Sequence, residues 1–319
     1  MKKNVLVTGG AGYIGSHVCK LLSQRGYQPI VLDNLVAGYK EFVQWGPFIE
    51  ADIADEKTMK AVVEKYQPIA LMHFAAFTDV GESVRDPYKY YQNNVIKTIS
   101  LLNALRPELV VFSSTAAVYG NTGQASISED TPKNPLSPYG FGKLAVEHIL
   151  GDFGARSVSL RYFNAAGADP DGDIGEAHVP ETHLIPLVLD AASGRRKTIS
   201  IFGTDYDTRD RTCVRDYIHV SDLADAHVRA LDHLISGGKS VSLNLGNGTG
   251  FTVKEVIQIV EKITGKQVPI IETERRPGDS AILVADASRA KEILGWKPVY
   301  PDLETIVRDA WNWHQRRFF

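Results

Sequence analysis

Short, nearly continuous apolar runs alternate with longer stretches in which apolar residues recur every three or four positions, and this alternation governs the first half of the chain. Residues 4–8, 28–33, 47–50, 69–74, 109–113 and 157–162 are predicted as strands, because apolar runs of this length suit strands buried on both faces. Helical patterns lie between most of them; residues 13–25, for example, carry Ile14, Val18, Leu21 and Leu22. Such repetition predicts an α/β fold, a doubly wound parallel sheet with helices on both faces. Ligands of these sheets bind beyond the carboxyl ends of the strands. Those ends carry residues 9–15, Asp33, Asp52, Phe74-Ala75-Ala76, Ser113-Ser114-Thr115 and Tyr162-Phe163-Asn164, so one crevice should collect them.

After Asn164 the pattern changes. Gly-, Asp- and Pro-rich stretches at 167–175 and 203–211 suit binding loops of a smaller, mixed α/β domain. The run 216–220 leads into a helix beginning near Ser221, and with 241–245 it reads as a return to the main sheet. Thr252-Val253-Lys254-Glu255 has the form of a capping box and should open another helix. The division expected is therefore 1–163, with a return segment at about 213–246, for one domain, and 164–212 with 247–319 for the other.

The strand-to-helix turn Thr8-Gly9-Gly10-Ala11-Gly12-Tyr13-Ile14-Gly15 adds chemistry to this frame. Gly9 can take a positive φ, Gly12 lets the backbone approach a pyrophosphate, and Gly15 lets helix and strand pack closely, with the helix N-terminus aimed at the phosphates. Asp33, at the end of the second strand, is placed to accept from an adenine ribose, and its charge would repel a 2′-phosphate. The turn thus specifies a Rossmann-type sheet and favours NAD over NADP.

A second motif, Tyr139-Gly140-Phe141-Gly142-Lys143, follows the helix-opening Pro138, and Tyr139, Lys143 and Glu147 recur at helical spacing. A phenol with a pKa of about 10 is a poor base near neutrality, but an adjacent ammonium and a positively charged nicotinamide both favour the phenolate. Thr115 offers a hydroxyl that can orient the reacting oxygen beside Tyr139. Glycine turn and tyrosine together imply exchange of a hydride and a proton at one alcohol/ketone carbon.

Composition narrows this only slightly. The 319 residues, 44% of them hydrophobic, suffice for a large core, and a formal net charge of -3 gives no reason to expect nucleic acid or an anionic membrane as partner. No signal-type or membrane-spanning apolar segment is present, which suits a cytoplasmic enzyme. Cys19 and Cys213 read as packing residues, His73 and His219 as satisfied structural groups, and no His/Asp/Glu/Cys cluster has metal-ligand spacing, so no metal is expected.

The chain resembles the extended short-chain dehydrogenases/reductases, and among them the UDP-glucose (UDP-galactose) 4-epimerase family, over essentially its full length. The resemblance is carried by 7–17 (VTGGAGYIGSH), 31–35 (VLDNL), 73–83 (HFAAFTDVGES), 90–95 (YYQNNV), 112–120 (FSSTAAVYG), 137–143 (SPYGFGK), 160–167 (LRYFNAAG), 214–220 (VRDYIHV) and 275–279 (RRPGD). It implies a tightly held NAD, Tyr139 as the group that takes the proton of the sugar 4-hydroxyl with Lys143 and Thr115 beside it, and a 4-keto sugar that turns about its pyrophosphate link before the hydride returns to its other face. It also implies cofactor contacts from Tyr13, Ile14, Asp33, Asn34, Asp52, Ile53, Phe74, Ala75, Ala76, Asn93, Ser113, Lys143 and Phe163. Asn164, His183, Leu184, Phe202, Arg215, Arg276 and Asp279 would hold the UDP-sugar, and Leu283 would limit its C2 substituent. A homodimer through helices near 86–105 and 138–152 is implied as well.

Some positions depart from that pattern. Thr78 stands where many relatives have lysine, Thr115 where serine is frequent, and Arg209 and Arg211 where proline and glycine are usual. The stretch 34–52 is short, and Leu283 is intermediate between the bulky and small residues found there, so UDP-N-acetylhexosamines and UDP-pentoses remain alternative substrates. A nucleotide-sugar dehydratase or decarboxylase would need an acid just after Thr115, where Ala116-Ala117 stand. A simple dehydrogenase would accumulate NADH. A non-enzymatic NAD sensor would be expected to lack Tyr139 or Lys143.

Overall fold

The computed structural model describes residues 3–276 and 279–316. Its strands, in chain order, are β1 (Lys3–Thr8), β2 (Tyr27–Asp33), β3 (Phe48–Glu50), β4 (Ala70–His73), β5 (Leu109–Thr115), β6 (Arg156–Tyr162), β7 (Asn164–Ala166), β8 (Ile199–Phe202), β9 (Val214–His219), β10 (Val241–Leu245), β11 (Gly250–Thr252), β12 (Ile270–Thr273) and β13 (Ile282–Leu283). The helices are α1 (Tyr13–Gln24), α2 (Glu56–Tyr66), α3 (Val80–Arg85), α4 (Pro87–Tyr91), α5 (Lys97–Leu105), α6 (Pro138–Asp152), α7 (Leu184–Ala192), α8 (Val220–Ile235), α9 (Val253–Thr264), α10 (Ser288–Leu294) and α11 (Leu303–Arg316).

Seven strands form one parallel sheet in the order β10-β6-β5-β4-β1-β2-β3. The apolar runs behave as double-sided strands: Val5, Val7 and Val111 face one core, whereas Leu6, Val110 and Phe112 face the other. Helices α1 and α8 cover the first face, and α2, α5 and α6 supply Met59, Val62, Leu101, Leu102, Val146 and Leu150 to the second. The chain leaves β1 in one direction for β2 and β3, then crosses to β4 on the other side, so the order reverses between β1 and β4. That switch point is where such sheets open a crevice for ligands.

The second unit is built around β9, which pairs with β7, β11 and β13, while β8 and β12 form a separate pair. Its core lies among α7, α9 and α11, with Val188, Leu189, Val256, Val260, Ile306 and Val307 buried together. The expected capping box is present: Thr252 and Glu255 each satisfy the other's backbone N–H at the start of α9.

Two boundary expectations need correction. The run 216–220 does not rejoin the main sheet; it lies in β9 and the start of α8, and only β10 returns, beside β6. Periodicity reveals that a strand is buried but not which edge it pairs with. The segment after β13 is not confined to the second unit either: Ala287, Ala290, Leu294 and Trp296 pack into the main core, and Trp296 donates to Asp222 O at 2.9 Å. β5 runs two residues beyond its predicted end because Ser114 and Thr115 continue the pairing with β6. Among the described residues no helix is long and apolar enough to cross a membrane.

Candidate functional site

The glycine turn closes on the β1/β4 switch point through contacts that leave no room for side chains. Gly9 donates to Leu32 O at 2.9 Å and has φ +72°, and a Cβ there would stand 2.5 Å from Ala75 N. A Cβ on Gly15 would stand 2.2 Å from Gly9 O. Gly12 is the N-cap of α1 and brings no capping side chain, so the first N–H groups of that helix suit an anionic ligand. Asp33 Oδ2 accepts from Ala11 N at 3.0 Å and Oδ1 from Leu35 N at 2.9 Å. Burial pushes the Asp33 carboxyl up and these N–H groups oppose the shift, so its position is set before any ribose arrives.

Next to it, Asn34 donates to Asp52 Oδ2 at 3.4 Å, and Lys97 reaches the same oxygen at 2.5 Å. Burial opposes the ionised form of Asp52, but the Lys97 ammonium outweighs it and holds the carboxyl below its usual range. Lys97 was not singled out from the sequence, since nothing in its local pattern points across to a strand end. Asn93 sits on the π-helical turn Gln92–Ile96 between α4 and α5 and donates to Asn94 Oδ1 at 3.0 Å. Such turns often mark functional sites.

On the other side of the switch point, Ser137 caps α6 by accepting from Gly140 N at 3.2 Å, and Pro138 occupies the first helical turn. Gly140 lets α6 close on the turn after β5, where a Cβ would stand 2.6 Å from Ala117 O. This presents Tyr139, buried, to the end of β5, where it lines the same crevice as Thr115. Burial raises the phenol's pKa and the Thr115 hydroxyl lowers it, leaving a net upward shift.

Lys143 departs from expectation. Its Nζ donates to Ser113 O at 2.7 Å, lies 4.9 Å from the Phe112 ring centroid, and stands 6.0 Å from the Tyr139 ring centroid. Burial pulls the ammonium down to about 7, with Glu147 opposing. In this geometry the ammonium is seated beneath Tyr139, not hydrogen-bonded to the phenol, because the Ser113 carbonyl is the acceptor within reach. Glu147, one turn further along, binds Arg161 (Nε–Oε1 2.9 Å, with a shorter second contact), Ser114 and Ser242, which fixes α6 against β5, β6 and β10. Tyr162, expected at a strand end facing the crevice but given no role there, hydrogen-bonds Ser113 Oγ through its hydroxyl.

The crevice between the two units has a volume of about 1210 Å³, above the roughly 300–1,000 Å³ of an ordinary small-molecule site. Most of the predicted residues line it, including Asn164, His183, Arg276, Asp279 and Leu283 on the second-unit side. Asn164 Nδ2 donates to Asp216 O at 2.9 Å. Leu283 and Phe163 share a small apolar cluster with Val118, Tyr119 and Ile127.

Lys143, Leu184, Phe202 and Arg215 do not line the crevice. Lys143 lies under Tyr139, and Leu184 packs on the second core. Phe202 lies beneath the Arg276 guanidinium, 3.7 Å from ring centroid to Cζ. Arg215 donates to Val214 O and Ser280 O and pairs with Asp279 at 3.4 Å. Pro277 and Gly278, the centre of the RRPGD motif, lie outside the described residues.

Three further outcomes bear on the sequence reading. His73 bridges Thr8 Oγ1 at 2.7 Å and Thr98 Oγ1 at 2.9 Å, and His219 bonds Asp309 and Ser221 N, so both are structural. Arg209 docks on Glu255 and Gly250 O, and Arg211 takes φ +69°. Spacing along the chain points to no metal-ligand cluster; in the fold the loop before α7 folds back and gathers Glu176, His178, Glu181 and His183, and a second group joins Asp169, Asp171 and Asp173. Spacing within a loop does not report such a reversal.

Comparison with known proteins agrees with this geometry. The family model described as GDP-mannose 4,6 dehydratase matches residues 6–310. A UDP-glucose 4-epimerase of Rhizobium meliloti is 54% identical over 98% of both chains. The crystal structure of UDP-glucose 4-epimerase from Brucella ovis in complex with NAD superposes with a TM-score of 0.95, at 51% identity and 97% coverage of each chain. That of UDP-glucose 4-epimerase from Bifidobacterium longum in complex with NAD+ and UDP gives 0.92, at 38% identity and 98% coverage of each. With that identity sustained from end to end, on a Rossmann sheet that seats a buried tyrosine–threonine pair beside a glycine turn, the chain belongs to the UDP-glucose 4-epimerase family of the extended short-chain dehydrogenases/reductases.

Proposed function

We propose that this protein interconverts UDP-glucose and UDP-galactose by inverting C4 of the sugar while it holds NAD. The observation that carries this reading is the buried phenol of Tyr139 in the same crevice wall as Thr115, at the end of β5 and opposite the glycine turn. The glycine turn, which lines the crevice at the uncapped N-terminus of α1, fits the diphosphate of a dinucleotide, and Asp33 fits its adenosine ribose. NAD, when bound, supplies the acceptor and then the donor of the C4 hydride.

The chain's own part is proton transfer and positioning. Tyr139 takes the proton of the 4-hydroxyl, leaving a 4-keto sugar, and returns it once the sugar has turned over. Thr115 holds the reacting oxygen through its hydroxyl, which also accepts from Ala117 N at 3.1 Å and is thereby fixed. Burial disfavours both the Tyr139 phenolate and the Lys143 ammonium, so each gains from the other's charge when the proton moves. Arg276, Asp279, His183 and Asn164 line the far end of the crevice, where they would grip the UDP and leave the sugar free to turn.

A dehydratase reading, suggested by the name of the matching family model, is disfavoured locally. Ala116 and Ala117 line the crevice directly after Thr115 and offer no group that moves a proton. Leu283 and Phe163 form the apolar wall that would sense the C2 substituent, with N-acetylhexosamines and pentoses as secondary substrates.

The protein would act as a homodimer. Tyr88, Ile96 and Phe141 are exposed on neighbouring helical turns, with Tyr88 at 75% and Phe141 at 54%, and an apolar face of that kind suits a second copy.

Incubation of purified protein with UDP-galactose, without added cofactor, tests the function by proton NMR. Conversion to the UDP-glucose/UDP-galactose equilibrium without net NADH is expected. Failure to convert UDP-galactose, UDP-N-acetylgalactosamine or a UDP-pentose even with NAD added would overturn it.

A further inference from the structure

Two clusters of potential metal donors stand on the second unit, and their surroundings separate them. Asp169, Asp171 and Asp173 surround the Lys20 ammonium at 2.7, 2.8 and 2.9 Å, so a cation of the protein's own already neutralises that group. In the group Glu176, His178, Glu181 and His183 the balancing partner is His183 itself, which pairs with both carboxylates and, unlike a lysine, becomes a ligand once it gives up its proton. Each of the four offers one donor atom, and all four atoms lie within 4.8 Å of one another.

The distances have the size of a coordination shell. His183 Nδ1 lies 2.5 Å and His178 Nδ1 3.1 Å from Glu176 Oε1, and the same two nitrogens lie 3.5 and 3.9 Å from Glu181 Oε1. Four ligands held at 2.0–2.1 Å around a tetrahedral ion would be about 3.3 Å apart. One donor is also unspent: the Glu181 side chain is only 7% exposed, and its Oε2 is buried without a hydrogen-bond partner. Its other oxygen accepts from His183 N at 2.9 Å, which holds the carboxylate at the cluster.

We propose that Glu176, His178, Glu181 and His183 bind one divalent transition cation of the zinc class on the wall of the crevice. Two carboxylates and two neutral imidazoles carry a charge of about -2, which matches such an ion, and nitrogen with oxygen donors in fourfold array suit zinc better than calcium or magnesium. Without the ion a proton shared between His183 and Glu176 partly neutralises the group, so binding releases protons. His183 directly precedes α7, so the ion ties the loop 176–183 to the start of that helix and fixes the wall that faces the nucleotide.

The test uses the full chain, stripped with a chelator and retaining its NAD, titrated with Zn2+ against a chromophoric competitor. One equivalent should bind, and Glu181→Gln or His178→Gln should each weaken it by more than about tenfold. Asp171→Asn should leave uptake unchanged. Zinc at a hundredfold excess over Kd should raise Tm by roughly 5 °C in the unsubstituted protein and much less in Glu181→Gln.

Should the variants fold poorly, Co2+ with the unsubstituted protein still decides, since a four-coordinate site gives intense visible absorption. No stoichiometric uptake, a weak six-coordinate Co2+ spectrum, or undiminished binding in the Glu181→Gln/His178→Gln double variant would each overturn the proposal. Loss of binding in Asp171→Asn alone would do the same by moving the site to the other cluster.

Discussion

At the residue scale the site turns on one hydroxyl. Tyr139 is buried beside Thr115 and raised in pKa by that burial, so it waits as a neutral phenol and becomes a base only when charge is placed beside it. Tyr139→Phe removes the proton acceptor and keeps the ring. It should lower kcat by about 10²–10⁴-fold while UDP affinity and retained NAD stay near those of the unsubstituted protein; measurement of all three would contradict the assignment if turnover survived. The residue types were legible in the sequence because Tyr139 and Lys143 share a helix. Their relation was not: the Lys143 ammonium sits on Ser113 O, a contact fixed by how deeply α6 lies on β5, and helical spacing carries no information about depth.

At the scale of elements, the glycine turn and the loop before β9 make opposite demands on the backbone. Gly15→Ala places a Cβ within 2.2 Å of Gly9 O, so the turn must shift. The purified variant should lose its bound NAD, seen as a lower 260/280 nm absorbance ratio, and unchanged cofactor content would show that the turn does not cradle the diphosphate. Arg211 holds φ +69° with a side chain that disfavours it. Arg211→Gly should therefore stabilise the protein by about 1 kcal/mol, read as a higher urea midpoint; an unchanged or lower midpoint would contradict the strain assigned to this residue. Local pattern revealed the strands, the α6 cap and the Thr252–Glu255 capping box, since each is encoded within a few residues. It misplaced β9 and the packing of Trp296, because the partners of both lie far away in the chain: β7 and β13 for the strand, Asp222 for the indole. The donor cluster around Glu176 escaped for a different reason: its members lie within eight residues, but their convergence depends on the path of a loop.

For the whole molecule, three buried histidines tie stability to pH. His17 and His227 bond a backbone carbonyl through Nδ1 while Nε2 is buried without a partner, and His73 lies between two threonine hydroxyls. Burial pulls them down to about 3, about 4 and about 3 for His17, His227 and His73 respectively. Folded pKa values below the unfolded value of about 6.5 mean that the unfolded chain binds more protons, so their contribution is intact above that value and falls as pH drops toward 4. Between about pH 7 and 5.5 each loses about 1 kcal/mol. Burial raises Asp216 to about 6. That group acts in the other direction by about 1 kcal/mol, leaving a net loss of roughly 2 kcal/mol. Urea unfolding at the two pH values should show that loss, and equal or greater stability at the lower pH would contradict it.

The central claim is that one carbon gives up its hydride and receives the same hydride back. The direct measurement is to incubate UDP-galactose deuterated at C4 with the protein in ordinary water, without added cofactor, and to locate the deuterium in the UDP-glucose formed. Full retention at C4 is the predicted result; loss of the label to solvent, or its appearance at another carbon, would contradict the mechanism.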